Sequence, residues 1–158
     1  MRFGQWKTNS ILREKIDRNA KYIWFHASSL GEFEQGRPMI EKIKAEHPGY
    51  KVLLTFFSPS GYEVRKNYKG ADVICYLPFD TPFRVKKFLN LANPAVAVFI
   101  KYEFWGNYLR ELKKRGILIR DCANYRGLGN GWYRMAVRMP EENDRLLECM
   151  KQVLNERS

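Results

Sequence analysis

A chain of 158 residues with 45% hydrophobic and 15% aromatic side chains can bury the core of one domain, which excludes a disordered or low-complexity class. Its 28 lysines and arginines stand against 17 aspartates and glutamates, a formal charge of +11. That balance favours polyanionic partners: nucleic acid, anionic lipid headgroups or a phosphorylated glycolipid. The basic residues are dispersed from Arg2 to Arg157 rather than gathered in one block, which argues against a nucleic-acid-binding arm.

Residues 1–21 are too polar for a signal peptide and read as a helix leading into a first strand. Four short, almost continuously apolar runs follow: residues 22–27 (YIWFHA), 52–57 (VLLTFF), 73–77 (VICYL) and 95–100 (AVAVFI). Such runs fit strands buried on both faces of a parallel sheet, and no apolar run reaches the length of a membrane-spanning helix. Segments of helical period lie between them. Met39, Ile40 and Ile43 share one helix face, and Val85, Phe88 and Leu89 share another. The second helix is entered through Asp80-Thr81-Pro82, with Asp80 or Thr81 as cap and Pro82 in the first turn. Trp105, Leu109 and Leu112 repeat the pattern up to a stop near Gly116. Strand alternating with helix predicts a doubly wound α/β domain whose ligand-binding groups gather at the carboxyl ends of the strands.

Three loops occupy those ends. Ser28-Ser29-Leu30-Gly31-Glu32 opens the helix after the first strand. Its small residues let backbone approach a ligand, and its N–H groups suit an anion. Glu32 has two readings, a proton acceptor from a sugar hydroxyl or a first-turn glutamate that complements the helix dipole. Ser58-Pro59-Ser60-Gly61-Tyr62-Glu63 reads either as a phosphate- or sugar-binding loop or as a turn with Ser60 at the N-cap and Glu63 at the box position. Lys101-Tyr102-Glu103-Phe104-Trp105-Gly106-Asn107 places a second carboxylate beside a lysine and aromatic rings. This suits a carbohydrate pocket, although Trp105 as core and Lys101–Glu103 as a surface pair would give the same pattern. His26 reads as a hydrogen-bonded packing residue. Cys75, Cys122 and Cys149 have no metal or redox spacing, so buried thiols in a reduced, cytosolic setting are expected. No metal cluster and no glycine-rich nucleotide loop is evident.

The runs WFHASSLGE (24–32), LLTFFSPSGYE (53–63), YLPFDTP (76–82) and KYEFWGN (101–107) occur in an order and spacing similar to those of the N-terminal domain of bacterial Kdo (3-deoxy-D-manno-octulosonic acid) transferases of lipopolysaccharide assembly. The resemblance covers residues 9–116. It implies a Rossmann-like parallel sheet with flanking helices, the N-terminal half of a two-domain GT-B glycosyltransferase. That half would receive a phosphorylated lipid A precursor at the cytoplasmic face of the inner membrane, while the other half binds the donor substrate CMP-Kdo. The resemblance makes Glu32 the general base and Glu103 a support for the transition state. It places Ser28, Ser29 and Gly31 in the acceptor loop. Ser58, Ser60, Gly61 and Lys101 are added as substrate-binding candidates, Lys101 standing where many relatives carry an acidic residue. No cofactor and no nucleic acid is expected.

Residues 117–158 resemble instead the C-terminal segment of a pyridoxal-phosphate aminotransferase of the histidinol-phosphate or threonine-phosphate decarboxylase type. Arg134 matches the arginine that holds the substrate carboxylate, and Met139 stands where a capping threonine is usual before Pro140. The Schiff-base lysine of that family has no counterpart, so no pyridoxal phosphate is expected. The chain thus reads as a chimera, an acceptor domain over 1–116 and a short α+β tail packed on it. Residues 117–119 would add a strand, and Leu146, Met150, Val153 and Leu154 would form the apolar stripe of a last helix.

Overall fold

The computed structural model describes residues 7–100 and 105–117. In chain order the elements are α1 (Thr8–Lys15), β1 (Lys21–Ala27), α2 (Leu30–Glu46), β2 (Tyr50–Phe56), α3 (Pro59–Arg65), β3 (Val73–Tyr76), α4 (Pro82–Ala92), β4 (Val96–Phe99) and α5 (Gly106–Lys114). Each apolar run read as a strand is one. All pairings are parallel and the sheet order is β3-β2-β1-β4, so the expected α/β class is borne out.

The near-continuous hydrophobicity of the strands follows from helices on both faces. On β1, Tyr22 and Trp24 join a core with Leu12 of α1, Val85, Phe88 and Leu89 of α4, and Tyr108, Leu109 and Leu112 of α5. The alternate residues Ile23, Phe25 and Ala27 pack with Phe33, Met39, Ile40 and Ile43 of α2. The period-2 alternation of side chains therefore divides one apolar strand between two cores. Two glycines of the second layer are explained by packing. A methyl on Gly36 would collide with Ile100, and one on Gly61 would collide with the ring of Phe56.

The helix ends obey local chemistry. Gly116 adopts φ 65°, and the Gly116 and Ile117 N–H groups donate to the carbonyls of Lys113 and Leu112, both at 3.0 Å. This is the hydrogen-bond pair of a Schellman stop, and it ends α5 where the sequence expected. Asn93, at φ 38°, ends α4 in the same left-handed region, which asparagine tolerates better than most residues.

Inside the sheet the main polar demand is met by one residue. Thr55, fully buried on β2, accepts a hydrogen bond from Trp24 Nε1 at 2.8 Å. Its Oγ1 lies 3.0 Å from Nδ1 of the buried His26, which bears out the packing reading of that histidine. At the sheet edge the Thr8 hydroxyl donates to the carbonyl of Tyr76 at 2.8 Å and ties α1 to β3. Thr55→Val keeps the shape but strands the indole N–H of Trp24. It should destabilise the domain by roughly 1–3 kcal/mol, measured as a loss of urea-unfolding free energy relative to Thr55→Ser.

Candidate functional site

The chain places β1, β2 and β3 successively outward and then crosses back to set β4 on the far side of β1. The strand order therefore reverses between β1 and β4, and ligands of open α/β sheets bind at the carboxyl side of such a point. One wall of this crevice is the β1–α2 loop with Ser28 and Ser29. The other begins where β4 ends; residues 101–104, which follow, with Lys101 and Glu103, lie outside the described residues.

Ser29 is the N-cap of α2. Its backbone N–H donates to Glu32 Oε2 at 2.9 Å, the carboxylate arm of a capping box. The bond fixes the Glu32 side chain at the helix start. The capping reading of Glu32 is seen in this bond, which holds the carboxylate at the switch point. The Ser29-x-x-Glu32 spacing carried this signal, while sequence reasoning sought a box at Ser60 and Glu63. That expectation is corrected. Ser58 is the N-cap of α3 and its Oγ accepts from the Ser60 N–H at 3.3 Å. Glu63 instead pairs with Lys66 at 2.7 Å. Pro59 behind Ser58 explains the shift, since proline fits the first helical position, where its missing N–H costs nothing.

The serine loops meet. Ser58 N–H donates to the Ser28 carbonyl at 2.7 Å, which ties the loops after β1 and β2 together. Gly31 has open space where a side chain would begin, whereas Gly61 is buried inside α3 against Phe56. The structure thus brings Ser28, Ser29, Gly31 and Glu32 together at the switch point, with Ser58 and Ser60 beside them, and turns Gly61 into the core.

Asp80 was expected among the caps of α4. Thr81 holds that N-cap position, without a side-chain bond, and Pro82 takes the first turn. Asp80 caps α5 instead. Its carboxylate accepts from the N–H groups of Asn107 and Tyr108 at 3.1 Å, and the Asn107 side-chain amide returns a bond to the Asp80 carbonyl at 2.8 Å. The N-cap residue of α5 is Trp105, which has no side-chain oxygen to offer the first turn, so a remote carboxylate meets that need. Tyr108 adds a second tie, its hydroxyl donating to the Pro78 carbonyl at 3.0 Å. Burial pushes that hydroxyl well above the ordinary tyrosine range, so it acts as a neutral donor. The segments PFD and WGNY are thereby clamped together over the carboxyl end of the sheet.

Aromatic rings line the same end. Trp105 stands edge-on to His26 at 5.6 Å and tilts against Phe57 at 4.9 Å. Phe57 in turn meets Phe79 at 5.8 Å. Trp105 therefore belongs to an aromatic cluster that runs outward from the buried strand, in line with the core reading. Among the described residues no group of three His, Cys, Asp or Glu side chains could hold a metal ion. Burial also pushes the Cys75 thiol far up, as expected of an inert core cysteine. Cys122 and Cys149 lie outside the described residues.

Residues 1–120 match the family model of 3-deoxy-D-manno-octulosonic-acid transferase (kdotransferase). The 3-deoxy-D-manno-octulosonic acid transferase of Aquifex aeolicus is 36% identical over 112 residues, 70% of this chain and 31% of the relative. That of Haemophilus influenzae is 32% identical over 60% of this chain and 22% of the relative. A probable mitochondrial 3-deoxy-D-manno-octulosonic acid transferase of Arabidopsis thaliana is 33% identical over 74% of this chain and 26% of the relative. In each case the alignment spans less than a third of the relative's length.

Asp80→Ala removes the cap of α5 and frees Trp105 from its clamp. It should cost about 1–2 kcal/mol, lower the melting temperature by several degrees and red-shift the tryptophan emission, all readable in one fluorescence melt.

Proposed function

Because residues 1–120 match its model, the chain belongs to the 3-deoxy-D-manno-octulosonic-acid transferase family, and we propose that residues 1–116 form the acceptor side of such an enzyme. The observation that carries this reading is Glu32 at the β1/β4 switch point, held by the Ser29 N–H at 2.9 Å. In the proposed step a hydroxyl of a phosphorylated lipid A precursor gives its proton to Glu32. The freed oxygen forms a bond to the anomeric carbon of Kdo, and the bond from that carbon to the CMP phosphate breaks, with inversion. The CMP phosphate leaves with the electron pair of the broken bond. The backbone N–H keeps Glu32 aimed and need not move when the carboxyl takes the proton. Ser28, Ser29 and the open Gly31 would line the acceptor. Ser58, Ser60 and Gly61 would shape the neighbouring loop, and Lys101 and Glu103 would close the opposite wall, with Glu103 supporting developing charge. The step needs neither pyridoxal phosphate nor a metal.

CMP-Kdo must be held by a donor side, and the alignment with the Aquifex relative covers 31% of that protein. Residues 1–116 alone therefore bind acceptor in this reading, and turnover requires the donor side. A second reading keeps glycolipid binding without turnover, with residues 117–158 as an aminotransferase-like tail. Those residues lie outside the described ones, Ile117 excepted, and Ile117 is buried in the core of the α4 and α5 layer. The formal charge of +11 fits a phosphorylated acceptor at an anionic membrane face. Among the described residues no helix is long and apolar enough to cross a membrane, and peripheral attachment at the cytoplasmic face is proposed.

Two substitutions separate the capping and catalytic roles of Glu32. Glu32→Gln keeps an oxygen for the Ser29 N–H and should leave the melting temperature nearly unchanged, whereas Glu32→Ala should cost about 1 kcal/mol. In an intact two-domain relative, the matching glutamate-to-glutamine change should lower kcat by roughly 10²–10⁴-fold. Near-normal turnover there would remove the base assignment and leave only the cap.

Binding of a lipid A precursor to the purified chain should be saturable and should weaken with salt. Adding CMP-Kdo then tests whether the chain turns over by itself. Product supports a complete transferase, and retained binding without product supports the acceptor side alone. A folded chain that binds no precursor contradicts both.

A further inference from the structure

We infer that Gly36 and Pro38 are positioning residues: they seat the first two turns of α2 on the end of β4, so that Ser29, Gly31 and Glu32 line the crevice at the switch point. The inference rests on the acceptor-side reading and adds to it the residues that set where the acceptor loop stands. Two independent observations carry it.

The first is a missing side chain. Gly36 is buried inside α2, and a Cβ there would run into Cδ1 of Ile100 and lie 3.0 Å from its Cγ1. Gly36 does not adopt positive φ, so its dihedrals do not call for glycine, and glycine weakens a helix relative to alanine. What the glycine supplies is contact, with the α2 backbone lying directly on the Ile100 side chain. The Ile100 N–H donates to the His26 carbonyl at 2.9 Å, so the seat is the seam between β1 and β4. Three residues earlier, Phe33 packs on Phe56 of β2 with ring centres 5.7 Å apart. The start of α2 thus straddles β1, resting on β2 through Phe33 and on the end of β4 through Gly36. Residues four apart share a helix face, which places Glu32 on the side of Gly36, toward the β1/β4 crevice.

The second is a proline from which its own helix gains nothing. Pro38 stands in the interior of α2 and is exposed, so no core contact requires it. It has no N–H for the Glu34 carbonyl and its ring crowds that carbonyl, an interruption that bends a helix. A residue that weakens its helix without filling the core has its use elsewhere. The interruption falls just after Gly36. It lets the first two turns tilt onto Ile100 while Met39, Ile40 and Ile43 stay in the core against the sheet.

The capping box ties Ser29 to Glu32, so the tilt of the first turns sets the place of both. A displacement of about 1 Å in a group that touches a reacting substrate can cost on the order of a hundredfold in rate.

The test uses the full chain and reads the seat in two ways. Without acceptor, the amide resonances of Ser28 to Glu32 report where the loop stands. With acceptor, affinity for a lipid A precursor is measured well below the melting temperature of every variant. Gly36→Ala should move those resonances and weaken precursor binding about tenfold. Adding Ile100→Val removes the Cδ1 that the new methyl meets, and the double variant should return to within about twofold of wild type. Pro38→Ala should raise the melting temperature by several degrees through the restored helix bond. It should still move the Ser28–Glu32 resonances and weaken binding about threefold to tenfold. Lys42→Ala, in α2 beyond the proline, should change neither. A purely structural role would change the melting temperature alone. Unmoved Ser28–Glu32 resonances or wild-type affinity in Pro38→Ala therefore overturn the proposal, as does a double variant no better than Gly36→Ala. Should Gly36→Ala fail to fold, the double variant and Pro38→Ala still decide. Moved resonances in a chain whose wild type binds no precursor would count against the acceptor reading and leave the seat standing.

Discussion

The central position of β1 constrains everything else in the domain. Paired with β2 on one side and β4 on the other, the strand has no free edge and no face open to water. Residues 22–27 are all buried. An unpaired polar group there would carry its full desolvation cost, so every side chain must be apolar or fully hydrogen-bonded. The Trp24 indole N–H and Nδ1 of His26 find their partner in Thr55 on the neighbouring strand. Because β1 is so firmly held, the loop that leaves it has a fixed origin, and Ser28 to Glu32 start from a rigid platform.

Rigidity at the origin is carried into the loops by bonds between segments distant in sequence. The Ser58 N–H to Ser28 carbonyl bond joins the first two loops. The Asp80 carboxylate joins the third to the start of α5. Glu34 and Arg65, 2.6 Å apart, join α2 to α3. The last pair is about a third exposed on each side and so contributes little to stability on its own. Its use is to hold register between helices. The Asp80 clamp is of another kind, since it satisfies backbone donors that would otherwise lack partners at a partly buried helix end.

The two helix layers divide their labour. The α2 and α3 layer supplies the capped carboxylate and the serine loops, and its charges are nearly balanced. The α1, α4 and α5 layer supplies Phe88 and Tyr108 to the aromatic core and all of the net positive charge of the described helices. A domain built this way can bury its sheet equally on both sides and still present two chemically different faces to its surroundings. The aromatic contacts from His26 through Trp105 and Phe57 to Phe79 run along the carboxyl end, where these faces meet.

The sequence by itself determined what depends on neighbours within a few residues. The four apolar runs located the strands, the 3.6-residue stripes located α2, α4 and α5, Gly116 located a helix end, and the ordered motifs located the family. The Ser29–Glu32 box was also legible, since its two members stand three residues apart. Tertiary structure alone decided which groups meet across long separations. The proline after Ser58 moved the cap of α3 away from Ser60. Asp80 left the helix next to it for one that begins 26 residues later. Thr55 became the polar partner of a strand 29 residues away, and the eight basic residues of α1, α4 and α5 came to share one face. The physical reason is common to all of these. Burial and backbone dihedrals repeat with a local period that a sequence displays, whereas a hydrogen bond or a shared surface between distant segments depends on how the sheet orders its strands, and no spacing records that order.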